Sequence, residues 1–240
     1  MVNGGGNGSE VWIAGMGITK WGFYPDRDSY ELGAEAVIDA LRDAGMEWKR
    51  VQAVFCGSVY QGTGSGHQVI KEVGFTGAPI INVENACSSG SSAFRLAYQS
   101  VAAGLYDVVL VVGFEKMPRG PIPSTAFRPW QLAMGFNVQP ANYALETVQY
   151  MEKYGWTEED FALVTVKNRK NGALNPNARF RKEVTVEEVL NSRPVATPLR
   201  LLNCCPLADG AAAFVLCRPD RVQDRTKAVA VASAVLVSGI

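Results

Sequence analysis

Histidine is nearly missing from these 240 residues: His67 stands alone. A zinc site would have to be built almost wholly from thiolates, and the five cysteines do not offer the spacing for one. No CxxC occurs, Cys204 and Cys205 are neighbours, and Cys56 and Cys217 sit inside apolar runs. An odd number of cysteines without a framework pattern argues against a disulfide-stapled domain and fits a reducing, cytoplasmic setting. Net charge is lacking too. Lys plus Arg and Asp plus Glu stand at 23 each, so no overall field directs the chain to nucleic acid or to an anionic membrane. No run reaches the roughly 18 apolar residues of a membrane span, and the N-terminus lacks the basic-then-apolar order of a signal peptide.

What is present is ordinary globular material, 48% apolar and 19% charged, enough for a large core. Residues 1–9 offer almost nothing to that core and are predicted to be disordered. From residue 11, VWIAGMGITKWG reads as a first strand whose Gly15 and Gly17 mark close packing. Asp28 or Ser29 caps a helix to about Ala44, where Leu32, Ala36, Val37, Ala40 and Leu41 recur at three and four, and Gly45 ends it. A strand follows over residues 51–59. The glycines of QGTGSGHQV have neither dinucleotide nor P-loop spacing, so a phosphate loop is rejected.

The stretch IINVENACSSGSSAFRLAYQSVAAG, residues 80–104, is the informative one. A short β-branched run gives way to helical spacing at Ala93, Leu96, Ala97 and Val101, which predicts strand, sharp turn and helix with Cys87 at the turn. Small residues around Gly90 let a ligand approach the backbone. A thiol at a helix N-terminus meets the positive end of the dipole and unpaired amides, both of which favour thiolate. Cys87 is therefore a candidate nucleophile; the competing reading is a buried thiol packed as a small apolar group. His67 is a tempting base, but no spacing requires the two to meet.

DVVLVVG, residues 107–113, reads as a strand buried on both faces. Strands alternating with helices up to that point predict an α/β layer structure with a mainly parallel sheet. Residues 114–140, rich in proline and aromatics, break the rhythm as a functional excursion or partner-binding loop. Helices are predicted near residues 141–154, ended by Gly155, from Thr157 to about Asn171, and over residues 186–190. Arg179, Arg181 and Lys182 form a basic loop that either meets phosphates or is a solvated cluster. An extended crossing is predicted over residues 194–198, a structural turn at Asp209-Gly210, and strands over residues 211–217 and 229–237.

Taken in order, GMGITKWG, APIINVENACSSGSSA, VLVVGFEKM, YMEKYG, NPNARFRKEVTVEEVL and LLNCCPLADGAAA resemble the thiolase superfamily, specifically its sterol-carrier-protein and lipid-transfer-protein type. The resemblance implies a layered α-β-α-β-α fold, of which this chain supplies the N-terminal βαβαβαββ half. By position, residues 10–225 are the thiolase N-terminal domain, with an excursion region over residues 114–200, and residues 226–240 open the C-terminal domain. It also implies Cys87 as the acylated nucleophile of a 3-ketoacyl-CoA acyltransferase, with the histidine and second cysteine of the family following Ile240. Coenzyme A is then a substrate, no cofactor is bound, and the protein is a homodimer. Gly90, Arg179, Arg181 and Lys182 are the candidate substrate-binding residues. Two other readings stay open: a thiolase-fold retro-aldol lyase of CoA-linked steroid side chains, paired with an OB-fold and zinc-ribbon protein, and a non-catalytic thiolase-like subunit.

Overall fold

The computed structural model describes residues 10–120 and 127–238; the disorder expected over residues 1–9 lies outside the described residues. In chain order the first elements are β1 (Trp12–Ile18), α1 (Ser29–Ala44), β2 (Ala53–Gly57), α2 (Ser65–Val73), β3 (Ile80–Val83), α3 (Ser89–Ala102) and β4 (Val108–Glu115). There follow α4 (Pro129–Ala133), α5 (Gln139–Tyr154), α6 (Glu158–Leu174), α7 (Val186–Leu190), β5 (Pro194–Ala196), β6 (Leu199–Arg200), β7 (Gly210–Cys217) and β8 (Val229–Ala230). They group into two compact units, one running to Lys116 and resuming at Ala208, the other spanning Met117–Leu207.

The first unit is a six-stranded sheet, in the order β3-β2-β4-β7-β1-β8, with helices on both faces. β2 pairs parallel with β3 and β4, whereas β7 runs antiparallel to both β4 and β1. The sheet is therefore mixed rather than mainly parallel, because the chain re-enters between β4 and β1 only after the second unit and arrives from the opposite end. α1 begins where the Asp28 carboxylate accepts the Tyr30 N–H at 2.9 Å and ends at Gly45 in the left-handed region, φ 61°. It lies close against β1: a Cβ on Gly17 would come 2.1 Å from the Ala36 carbonyl oxygen, so only glycine permits this contact.

One core fills the face under α1 and α2, with Leu32, Val37, Val54, Leu110, Val112 and Val215. The other lies under α3, where Ala93, Ala97 and Val101 meet Phe55, Val109, Val111 and Leu216. β4 sends Val108, Leu110 and Val112 to the first and Val109 and Val111 to the second, as a strand buried on each face must. Each such side chain contributes about 1.5–3 kcal/mol by leaving water. The strand expected over residues 229–237 is shorter: Val229 and Ala230 pair with β1, and the Val231 N–H donates to the Val11 carbonyl at 2.9 Å.

The second unit is mostly helical. Gly155, at φ 70°, ends α5. Thr157 opens α6 with a reciprocal cap, its own N–H donating to the Asp160 carboxylate at 2.8 Å. The extended crossing near residue 194 is a small antiparallel hairpin, β5 with β6. Among the described residues, no helix is long and apolar enough to cross a membrane.

Candidate active site

The turn between β3 and α3 is held by its own polar side chains. The Asn85 N–H donates to Ser89 Oγ at 2.9 Å, Asn85 Nδ2 donates to Ser92 Oγ at 2.8 Å, and the Ala86 N–H donates to the Glu84 carboxylate at 2.7 Å. Ala86 itself sits at φ 46°, where a Cβ crowds the following carbonyl at a cost of about 1–2 kcal/mol. The serine ladder read in the sequence as room for a ligand is thus also the bonding that keeps this bend. Cys87 follows directly, exposed and free of any disulfide, two residues before the first turn of α3. The Gly90 and Ser91 amides make no hydrogen bond to the described residues, leaving N–H donors at the start of the helix.

The first turn of α3 is seated on glycine. A Cβ on Gly57, at the end of β2, would lie 2.6 Å from the Ser89 carbonyl oxygen and 2.7 Å from the Gly90 nitrogen. Gly90, expected to leave space for a ligand, points its own missing Cβ toward the Gly113 Cα at 3.9 Å. A Cβ there would make ordinary contact with β4.

Parallel strands β2, β3 and β4 end at this same edge, the place where open α/β sheets receive ligands. Glu115, the last residue of β4, accepts the Val59 N–H at 2.8 Å and the Tyr60 N–H at 3.3 Å. Burial first, and then the negative charges of Cys87, Glu115 and Glu84, raise the Tyr60 phenol above its ordinary pKa. Tyr60, Glu84 and Glu115 were not visible as site residues in the sequence. The usable signal was topological: three strand ends pointing the same way.

His67 is on α2, its Nδ1 3.4 Å from Asn82 Nδ2. Burial pushes the Cys56 thiol up to about 12 and that of Cys217 up to about 11, which leaves both inert at neutral pH. Arg179, Arg181, Lys182, Cys204 and Cys205 belong to the second unit. There the Arg179 guanidinium lies 5.2 Å from the Phe180 ring centroid, and Lys182 pairs with Glu188 at 3.6 Å. Cys204 is raised by burial and by its neighbour Cys205. Among the described residues, no three His, Cys, Asp or Glu side chains converge as a metal-binding group.

Residues 12–220 match the family described as Thiolase, N-terminal domain. The chain is 40% identical over 238 residues to benzoylsuccinyl-CoA thiolase subunit BbsB of Thauera aromatica, covering 96% of this chain and 61% of that protein. It is 38% identical over 232 residues to sterol carrier protein 2 of Bos taurus, covering 90% and 42% respectively. Among solved structures, an Ltp2-ChsH2(DUF35) aldolase superposes with a TM-score of 0.78 at 30% identity, covering 91% of this chain and 58% of that one. The chain thus spans between 42% and 61% of the length of these curated relatives.

Proposed function

Because the chain belongs to the thiolase family, matching its N-terminal domain, we propose that it carries the nucleophile of a thiolase-type acyltransferase acting on a 3-ketoacyl-CoA. The observation that carries this reading is Cys87 itself: an exposed thiol on a strained bend, at the N-terminus of α3 and at the carboxyl ends of three parallel strands. Sulfur attacks the keto carbon, the bond from that carbon to the α carbon breaks, and the electron pair stays on the α carbon until it takes up a proton. The acyl group is then a thioester of Cys87. The thiolate of coenzyme A attacks it, an acyl-CoA leaves, and the Cys87 thiolate is regenerated. The Gly90 and Ser91 amides are suited to hydrogen-bond the oxyanion of either tetrahedral step. Arg179, Arg181 and Lys182 supply charge of the sign that the phosphates of coenzyme A require. A homodimer is part of the proposal, and sedimentation velocity reads it.

A second reading is favoured by one observation, the 0.78 TM-score and 30% identity to a thiolase-like aldolase that is partnered with a DUF35 protein. In that case the chain serves a retro-aldol cleavage of a CoA-linked side chain, with an OB-fold and zinc-ribbon partner. Steady-state turnover of the full chain separates the two. With the transferase, Cys87→Ala abolishes product release from a 3-ketoacyl-CoA. Turnover of a β-hydroxyacyl-CoA to aldehyde or ketone that survives Cys87→Ala supports the lyase instead.

A further inference from the structure

The residue before Cys87 is held in a conformation that alanine does not choose. Ala86 is at φ 46°, and every other described residue with a positive φ is a glycine. An alanine stays there only where its surroundings hold the peptides on both sides of it. The peptide after Ala86 is fastened by Ser89, whose N–H and Oγ donate to the Ala86 carbonyl at 3.1 Å and 2.7 Å. The peptide before it is fastened twice: the Ala86 N–H donates to the Glu84 carboxylate at 2.7 Å, and the Asn85 carbonyl accepts the Ser88 N–H at 3.0 Å and the Ser88 hydroxyl at 3.1 Å. All of these bonds join residues 84–89 to one another.

Asn85 carries the restraint further along the helix. Its N–H donates to Ser89 Oγ at 2.9 Å, and its side-chain Nδ2 donates to Ser92 Oγ at 2.8 Å. Ser89 and Ser92 are i and i+3 on α3 and so share one face of it. Both are buried, at 4% and 5% exposure, and the residue after Ser92, Ala93, belongs to the core under α3. Two bonds from one residue to two buried hydroxyls fix how Asn85 is turned relative to the helix. The peptide that enters Ala86 turns with it, and the direction in which Cys87 leaves the bend follows.

We propose that Asn85 is the positioning residue of Cys87: tied to Ser92, its side chain keeps Ala86 in the left-handed conformation that presents the thiol to a substrate carbonyl. Asn85 touches no reacting atom and moves no proton; it contributes the aim of the sulfur. The proposal rests on Cys87 being the nucleophile of this site. Two reactions of the same sulfur therefore test it, one that needs the thiol aimed and one that needs it only exposed.

The full chain, Asn85→Ala, Ser92→Ala, Asn85→Ala with Ser92→Ala, and Asn85→Ala with Ala86→Gly are each mixed with a range of 3-ketoacyl-CoA concentrations and, separately, with iodoacetamide. Modification of the Cys87 peptide is followed by mass spectrometry. Acylation needs one approach of the sulfur to the keto carbon, and losing one hydrogen bond lets the bend relax, so Asn85→Ala acylates about three- to tenfold more slowly at saturation. Its half-saturating concentration is unchanged. Iodoacetamide is small and reaches an exposed thiol from many directions, so it alkylates Cys87 at the wild-type rate. Because Asn85 and Ser92 share one bond, Ser92→Ala shows the same split, and the double variant is no slower than either single one. Glycine adopts a positive φ without a Cβ clash, so Ala86→Gly added to Asn85→Ala restores most of the acylation rate. Wild-type acylation by Asn85→Ala, acylation and alkylation slowed alike, single losses that multiply, or no recovery with glycine overturns the proposal. If the buried Ser92→Ala fails to fold, Asn85→Ala and its glycine double variant decide. A wild-type protein that takes no acyl mass on Cys87 overturns the nucleophile itself, and the proposal with it.

Discussion

Replacing Gly57 by alanine pushes on Cys87 without touching it. The added Cβ would stand 2.6 Å from the Ser89 carbonyl oxygen and 2.7 Å from the Gly90 nitrogen, whereas ordinary contact begins at 3.4 Å. Both obstructing atoms are backbone, so no side chain can swing away; the first turn of α3 must retreat by the difference, about 0.8 Å from 3.4 minus 2.6. Overpacking of this kind costs about 1–3 kcal/mol, or a melting temperature lower by roughly 2–12 °C for a chain of this length. A displacement approaching 1 Å at a nucleophile costs about 100-fold in rate. The signature is therefore disproportion: most molecules remain folded well below the melting temperature while acyl transfer to Cys87 nearly vanishes. Thermal melts followed by circular dichroism, set beside the rate of acyl adduct formation from a 3-ketoacyl-CoA, measure both. Gly90→Ala is the control, since its Cβ meets only the Gly113 Cα at 3.9 Å. Gly57→Ala transferring acyl groups at the wild-type rate would refute the idea that β2 sets the position of the nucleophile.

Asp209 is fully buried and accepts the Tyr24 N–H at 3.0 Å; Asp209→Leu orphans that donor and lowers stability by about 1–3 kcal/mol in urea titrations, while selective loss of turnover with normal unfolding would contradict a structural role. Gly17→Ala, whose Cβ lands 2.1 Å from the Ala36 carbonyl oxygen, forces α1 off β1 and costs about 3 kcal/mol, read as a lower urea midpoint. Cys56 and Cys217 hold protons in the fold up to about 12 and about 11, against 9.0 for a free thiol. Above pH 9 the unfolded chain thus binds fewer protons than the folded one, and stability falls as pH rises from about 9 to about 12; denaturation curves across that window check the sign, and a Cys56→Ala, Cys217→Ala variant flattens the slope. Alanine at Arg179, Arg181 and Lys182 together raises KM for acyl-CoA several-fold with kcat unchanged, and an unchanged KM removes that loop from binding.

Much of the local structure was legible because its causes are local. Asp28 and Gly45 bracket α1, and Gly155 and Thr157 divide α5 from α6, since a cap needs only its own few residues. The glycines of β1 announced close packing and are found under α1. Pairing partners were less accessible. Nothing in AAAFVLC says that β7 runs antiparallel between β4 and β1, and the apolar run after residue 228 reads as a long strand although only Val229 and Ala230 form one beside β1. The site divides the same way. Cys87 was visible because strand, bend and helix are contiguous around it. Glu115 and Tyr60 are 55 residues apart and meet only because β2 lies beside β4 in parallel.

The most direct measurement is peptide-level mass spectrometry of the protein quenched with acid shortly after mixing with a 3-ketoacyl-CoA in the absence of free coenzyme A. Acyl mass on the peptide containing Cys87, discharged when coenzyme A is added and lacking in Cys87→Ala, is the predicted result. Acyl mass on another residue, or turnover with the Cys87 peptide never modified, would contradict it.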